Sequence, residues 1–518
     1  MARSLRYAAY SPALVALVLG LSIGPGAASS VDLTGTRLAG VRLGPHPVGV
    51  SIRSLVDPTR HINAVDAGVR VAVATWYPAL SRGSAGKRAM TALDYQELQL
   101  GTADEADRRH YEDDQITAFC SWRHIGIVAL TRDQAGHALR TGGIAVRDAP
   151  ARAGAWPVVM ILGGPYYLAS TAETLASFGF VVVAPYRTDD QQNEVSVQGF
   201  PGYLENSIRD AEWAMQAQER SRRPPPRLFA LGHGGGGLQA LLLAMRNRNV
   251  SAVVNIDSGN FSSRTNARML PFYSPRLLRV PYLHILRAET RKELDQYDDF
   301  TAMAFSRRIE VVLQDDAVRH HDLSDIGRAV AVPMRIRGDA QGVVEREYAD
   351  VQETIVRFLQ SQSTGSGEAA AALDTWMTSH DGASRHAVKV YPAVEPAPVV
   401  QQVIAALDAS TPAMLRDAHG RDPGAPVFDA DNLAKIVARA IAAPGPRTAL
   451  DIVNVARELY PDDPRFLALK SEASLAAGDR AAALSAARDC AAVPPGTDWQ
   501  VQATVARCAE EVSRLTKD

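Results

Sequence analysis

Cysteine is scarce in this chain: Cys120, Cys490 and Cys508 are the 3 in 518 residues, and they show no metal-ligand spacing. Charge of one sign is also missing. The 55 basic and 57 acidic side chains leave a net charge of −2, with no basic excess for nucleic acid and no block suited to a membrane surface. Long apolar runs are lacking too. The run "ALVALVLGLSIG" from Ala13 to Gly24 falls short of the ~20 residues of a membrane span. These absences exclude a nucleic-acid partner, and predict no membrane span after signal cleavage. What is present is a 46% hydrophobic, 22% charged sequence able to bury a full core, long enough for two or three domains.

The N-terminus has the layout of an export signal. Arg3 and Arg6 form a basic start, the apolar run follows, and "PGAASS" supplies small residues for cleavage after Ala28. Residues 1–28 are therefore expected to be a signal peptide, and the protein periplasmic or extracellular. No cysteine lies near the cleavage zone, against a lipoprotein, and the arginines are not adjacent, against a twin-arginine signal. In an oxidising compartment Cys490 and Cys508 can pair; as two small buried hydrophobes they fit equally well.

Residues 47–62 and 68–77 are expected as early antiparallel strands, and 85–150 as a polar, irregular stretch with helical patches. A strand–helix rhythm then begins. Apolar runs at 157–164, 180–186, 227–232, 250–257, 280–287 and 307–315 alternate with helical segments, and "YADVQETIVRFLQSQ" closes the series. Continuous apolar strands between helices indicate a mostly parallel sheet covered on both faces, an α/β fold over residues 40–362. "STGSGE" reads as the start of a linker and irregular helical segment, 363–430. Residues 431–518 form an alanine-rich helical module. Its positions Leu433, Ile436, Ala440, Gly445, Ala449 and Pro461 recur as Phe466, Leu469, Ala473, Gly478, Ala482 and Pro494, a repeat of about 33 residues. This resembles the tetratricopeptide repeat, which implies a protein partner bound through the helices.

The sharpest feature is "RLFALGHGGGGLQALLLAM", Arg227 to Met245. Gly232, Gly234 and Gly237 satisfy G-x-G-x-x-G, and Asp257 ends the next strand about 20 residues on, where a ribose-binding acid belongs. Against a dinucleotide site, at least two strand–helix units precede the loop, whereas a Rossmann half starts with it. The same stretch fits G-x-S-x-G, the strand-to-helix turn presenting a hydrolase serine, with Gly234 in the serine position. Asp257 and then His320, in "RHHDLSD", follow in the order nucleophile, acid, histidine. His321 is an alternative to His320. Plainer roles are a turn-capping carboxylate for Asp257, a surface loop for His320, and packing for His233.

With "VAVATWYPA", "PVVMILGG", "LASFGFVVVAPY", "LGHGGGG", "VVNIDSG" and "HHDLSD" in this order, residues 47–360 resemble the platelet-activating-factor acetylhydrolase and dienelactone-hydrolase branch of the α/β-hydrolases. The resemblance implies an α/β-hydrolase fold, with Gly234, Asp257 and His320 on the catalytic positions and the backbone N–H groups of Gly235 and of residue 165 on the oxyanion hole. Two of these positions depart from the family. Gly234 has no nucleophile to offer, and Pro165 has no N–H. The expectation is a catalytically silent pseudo-hydrolase that binds a small acyl or ester-like ligand, without cofactor or metal. The alternatives are a carboxyl-ester hydrolase with an unrecognised nucleophile and a dinucleotide-binding module. Ser258 emerges from the wrong strand to replace the serine, Cys120 sits in the irregular stretch, and nothing in the spacing of His233, His320 and Asp257 requires a metal.

Overall fold

The computed structural model describes residues 37–38, 40–61, 68–80, 87–100, 105–121, 130–187, 199–220, 226–258, 267–293, 298–325, 338–381, 386–494 and 496–517. The expected signal peptide, residues 1–28, lies outside the described residues. The chain divides into two compact units. One comprises residues 1–271, 285–293 and 311–388, the other 272–284, 294–310 and 389–518.

The sheet is built from β1 (Val48–Asp57), β2 (Val69–Pro78), β3 (Ala89–Thr91), β4 (Gly142–Arg147), β5 (Val158–Leu162), β6 (Val181–Tyr186), β7 (Leu228–His233), β8 (Val250–Ile256), β9 (Tyr282–Arg287), β10 (Arg308–Leu313) and β11 (His386–Tyr391). Their order is β11-β10-β9-β8-β7-β5-β6-β2-β1-β4-β3. β1 and β2 pair antiparallel, from Val48 opposite Pro78 to Asp57 opposite Val69. β5 runs parallel to β6 and β7, and β7 to β8. Every residue of β5, β6, β7 and β10 is buried, which requires cover on both faces of the sheet. The α/β class expected from the sequence, a mostly parallel sheet covered by helices, is the one observed.

The described residues of the polar stretch 85–150 are more regular than the sequence indicates. β3 and β4 pair antiparallel and bracket α1 (Glu105–Ser121) and α2 (Arg132–Leu139). A buried relay joins this region to the sheet. Trp76 Nε1 donates to Tyr95 Oη at 3.0 Å, Tyr95 donates to Glu173 Oε1 at 2.6 Å, and Ile144 N donates to Glu173 Oε2 at 2.8 Å. Such partners are what allow a glutamate to stand 1% exposed. Glu173 belongs to α3 (Ala169–Ser177), which α4 (Gly199–Arg220) and α5 (Gly235–Arg246) follow.

"STGSGE" does not open an irregular linker. α6 (Gln341–Thr364) ends on Gly365 in the left-handed conformation, and Ser366 caps α7 (Gly367–His380) by accepting from Glu368 N at 3.2 Å. The glycine and serine that looked like linker composition are C-cap and N-cap of a tight helix–helix turn. Beyond it, β11 adds an edge strand that the sequence reading missed.

In the second unit, α8 (Ala430–Ala442), α9 (Pro446–Leu459), α10 (Pro464–Ala476), α11 (Arg480–Ala491) and α12 (Trp499–Lys517) follow one another. Leu433, Ile436, Ala440, Ala449, Phe466 and Ala473 are fully buried, and Gly445 and Gly478 take positive φ between helices. Small residues on facing stripes let the helices approach closely. Cys490 of α11 and Cys508 of α12 form a disulfide, resolving the two readings left open by the sequence. Among the described residues, no helix is long and apolar enough to cross a membrane.

Candidate active site

β7 delivers the chain into a sharp turn at Gly234, whose φ of 54° and ψ of −123° belong to a region that side chains rarely occupy. Gly234 N donates to Ile256 O at 2.9 Å and Gly237 N to Gly234 O at 3.0 Å, so the turn is tied to β8 on one side and to α5 on the other. The neighbouring glycines are forced by close packing. A Cβ on Gly232 would stand 2.1 Å from Gly236 O; one on Gly236, 2.3 Å from Leu162 O; one on Gly237, 2.0 Å from Asn255 Oδ1. Gly236 is not part of G-x-G-x-x-G, yet it is among the most confined. Strand–helix packing therefore accounts for these glycines without a pyrophosphate to cradle.

Asp257 follows β8 with a φ of 48°, a positive value for a residue that is not glycine, and its side chain is fully buried. Asp257 N donates to Ile285 O at 2.7 Å, which holds the turn. The loop after β10 then returns His320 to the same point. His320 Nδ1 lies 2.7 Å from Asp257 Oδ2. The carboxylate accepts, so Nδ1 donates, and in the neutral ring Nε2 is the nitrogen that holds the lone pair. That lone pair faces the elbow: a Cβ built on Gly234 would stand 3.0 Å from His320 Nε2 and 3.1 Å from Cε1. Gly234, Asp257 and His320 thus converge in the order the sequence predicts. The position that Gly234 leaves without a side chain lies directly against His320 Nε2.

Arg287, at the end of β9, is the participant that the sequence reading missed. Its Nε donates to Asp257 Oδ2 at 2.7 Å and its backbone N to Oδ1 at 3.2 Å, while Glu289 and Thr290 hold its other nitrogens at 2.6 and 2.8 Å. Burial works against the Asp257 carboxylate, but the hydrogen bond from His320 and the charge of Arg287 prevail and hold its pKa well below the carboxylate range. One carboxylate oxygen thus serves both an imidazole and a guanidinium.

Two more imidazoles surround His320. The His233 ring lies 4.2 Å from it, centroid to centroid, and the His321 ring 5.0 Å. Burial drives the His233 pKa down to about 3 and that of His321 to about 4, with repulsion from His320 adding to both. His233 Nε2 lies 3.0 Å from the His320 carbonyl oxygen, which only accepts, so this neutral ring donates there and fixes the loop carrying His320.

In the loop after β5, Gly163 and Gly164 have φ of 96° and 101°, and Pro165 begins a single 3-10 turn and is buried. The two loops touch, since a Cβ on Gly163 would stand 3.1 Å from Gly236 Cα. Pro165 has no N–H to offer an oxyanion. Gly235 is the first residue of α5, so its N–H has no intrahelical acceptor, and the space at its Cβ position is open. Of the replacement nucleophiles weighed on sequence grounds, Ser258 has its Cβ 2.9 Å from where a Cβ on Gly237 would stand, and Cys120 lies on α1, partly buried against the cluster around Leu93, Ile116 and Leu139.

The Asp257 ion pair makes the site sensitive to acid. A folded pKa below the unfolded value of about 3.9 contributes stability that is complete above that value and is lost as pH falls below it toward the folded pKa. Unfolding free energies measured from pH 6 to pH 2 are expected to fall below about pH 4 in the native protein. In Asp257→Asn the decline should be shallower. Parallel curves for the two proteins would show that Asp257 does not carry this term.

No family model matches the chain, and no curated protein matches it. Among solved structures it is similar to a ferulic acid esterase from Streptomyces cinnamoneus, with 16% sequence identity and a TM-score of 0.41, over 62% of this chain and 91% of that one.

Proposed function

We propose that this chain is an exported, catalytically silent relative of the acyl-ester hydrolases, similar to the platelet-activating-factor acetylhydrolase and dienelactone-hydrolase branch. It binds a small acyl or ester-like ligand at the elbow instead of turning it over. The observation that carries this reading is the gap at Gly234. His320 and Asp257 keep the geometry of a base and its orienting acid, but the base is aimed at a position with no side chain. Pro165 removes an oxyanion donor as well, a loss worth on the order of 3 kcal/mol in other hydrolases. The cystine between Cys490 and Cys508 supports an oxidising compartment, in keeping with the N-terminal export pattern. The helical module is read as tetratricopeptide-like, a surface for a protein partner.

The direct test is hydrolysis of p-nitrophenyl acetate and butyrate by the purified chain, together with labelling by a fluorophosphonate that captures activated serines. The expected result is turnover at the buffer rate and no label. Rapid turnover that is lost in His320→Ala would sink the silent reading in favour of an active esterase with another nucleophile. Rapid turnover indifferent to His320 would move the chemistry away from this site altogether.

A further inference from the structure

A second cluster of ligand-type side chains shares no residue with the elbow. Glu347 and Asp350 stand three residues apart on α6, hence on one face of that helix, and His386 is the first residue of β11. Each offers an atom within 4.8 Å of the other two. His386 Nε2 lies 2.6 Å from Glu347 Oε2.

Glu347 is the informative member. Its side chain is 0% exposed and that of His386 is 3% exposed. One carboxylate oxygen meets the imidazole, while the other, Oε1, is buried with no hydrogen-bond partner. A carboxylate taken out of water is costly unless both oxygens are served. Protein groups serve only one of them here. A cation bound among these three residues would serve the rest.

We propose that Glu347, Asp350 and His386 form a divalent-metal site, with zinc as the occupant. Two carboxylate oxygens and one imidazole nitrogen are a donor set for a borderline ion, and three protein ligands leave a fourth position for water. Bonds of roughly 2.0–2.1 Å in a tetrahedron put ligand atoms about 3.3 Å apart. The three atoms lie within 4.8 Å of one another, so an ion would draw the wider pairs together by up to about 1.5 Å. The His386–Glu347 contact opens, and the imidazole ligates as the neutral ring with its one proton on Nδ1, any second proton passing to solvent. The ion ties the edge strand β11 to α6, and it uses none of the residues at the elbow.

The test uses the full-length chain, freed of metal with a chelator and titrated with zinc against a chromophoric competitor. One zinc per chain is expected, with a rise in melting temperature. Removing even an outer partner of a metal ligand weakens binding by roughly 10–100-fold, so removing a ligand should cost at least about tenfold. Glu347→Gln and His386→Gln should bind that much more weakly and lose the thermal shift. If either buried variant fails to fold, Asp350→Asn, at a partly exposed position, carries the comparison. Absence of stoichiometric zinc in the folded native chain would overturn the proposal, as would folded variants that bind and respond like the native protein.

Discussion

Gly234→Ser is expected to create an esterase. The built Cβ stands 3.0 Å from His320 Nε2, tighter than ordinary contact, so the ring must give by a few tenths of an ångström. With its side chain 36% exposed, His320 has room to do so. A hydroxyl on that carbon then lies within reach of a base whose other nitrogen is already oriented by Asp257. Removing the serine from a complete triad costs on the order of 10⁶ in turnover, and losing one oxyanion donor costs 10²–10³. The variant should therefore exceed the native protein by on the order of 10³ toward p-nitrophenyl esters. It should also become labelled by a fluorophosphonate, and Gly234→Ser/His320→Ala should lose both properties. A serine at φ 54° carries backbone strain, so a stability loss of about 1–3 kcal/mol should accompany the activity. A folded Gly234→Ser that stays silent and unlabelled would mean that the elbow does not present residue 234 to His320 in solution.

The second large effect is steric. Gly236→Ala places a methyl 2.3 Å from Leu162 O and 2.9 Å from Leu162 C, both backbone atoms of the central strand β5. Neither can swing aside, so β5 and α5 must separate. A destabilisation of about 3 kcal/mol or more is expected, read as a lowered denaturant midpoint. Gly235→Ala is the matched control one residue away. No atom lies within 4 Å of its Cβ position, and at a helix start alanine is neutral or stabilising by up to about 1 kcal/mol. If the two variants unfold alike, packing is not what demands glycine at 236. Opposite behaviour would leave the glycine run explained by the elbow alone.

The sheet was largely legible because its strands are buried along their whole length. "VVMIL" and "VVVAPY" have no polar position to confuse with another element. The turn at Gly234 was legible for the opposite reason, since a run of glycines is conspicuous against the apolar strand and helix around it. Asp257 and His320 were found from chain order. Arg287 was not, because "YLHILR" gives no sign that its last residue turns toward a carboxylate at the end of the neighbouring strand. The region of residues 85–150 was obscured by its polarity. α1 has almost no apolar face, and capping boxes at Thr91 and Thr131 start two of the region's helices. Serine and glycine misled at 363–368, where the same residue types that mark linkers cap helices.

The turn at Gly365 also bears on where this protein can be divided. A cut at residue 362, the boundary that the sequence suggests, would discard α7 and β11 and leave β10 as the last strand of the sheet. That strand, "RIEVVL", is buried at every position and is rich in β-branched residues. Uncovered, its free N–H and C=O groups would invite pairing with the same strand of another molecule. A shortened chain of this kind would thus tend to form soluble aggregates or inclusion bodies whether or not its active-site region folds. Retaining residues through Tyr391 keeps the apolar strand β10 off the rim.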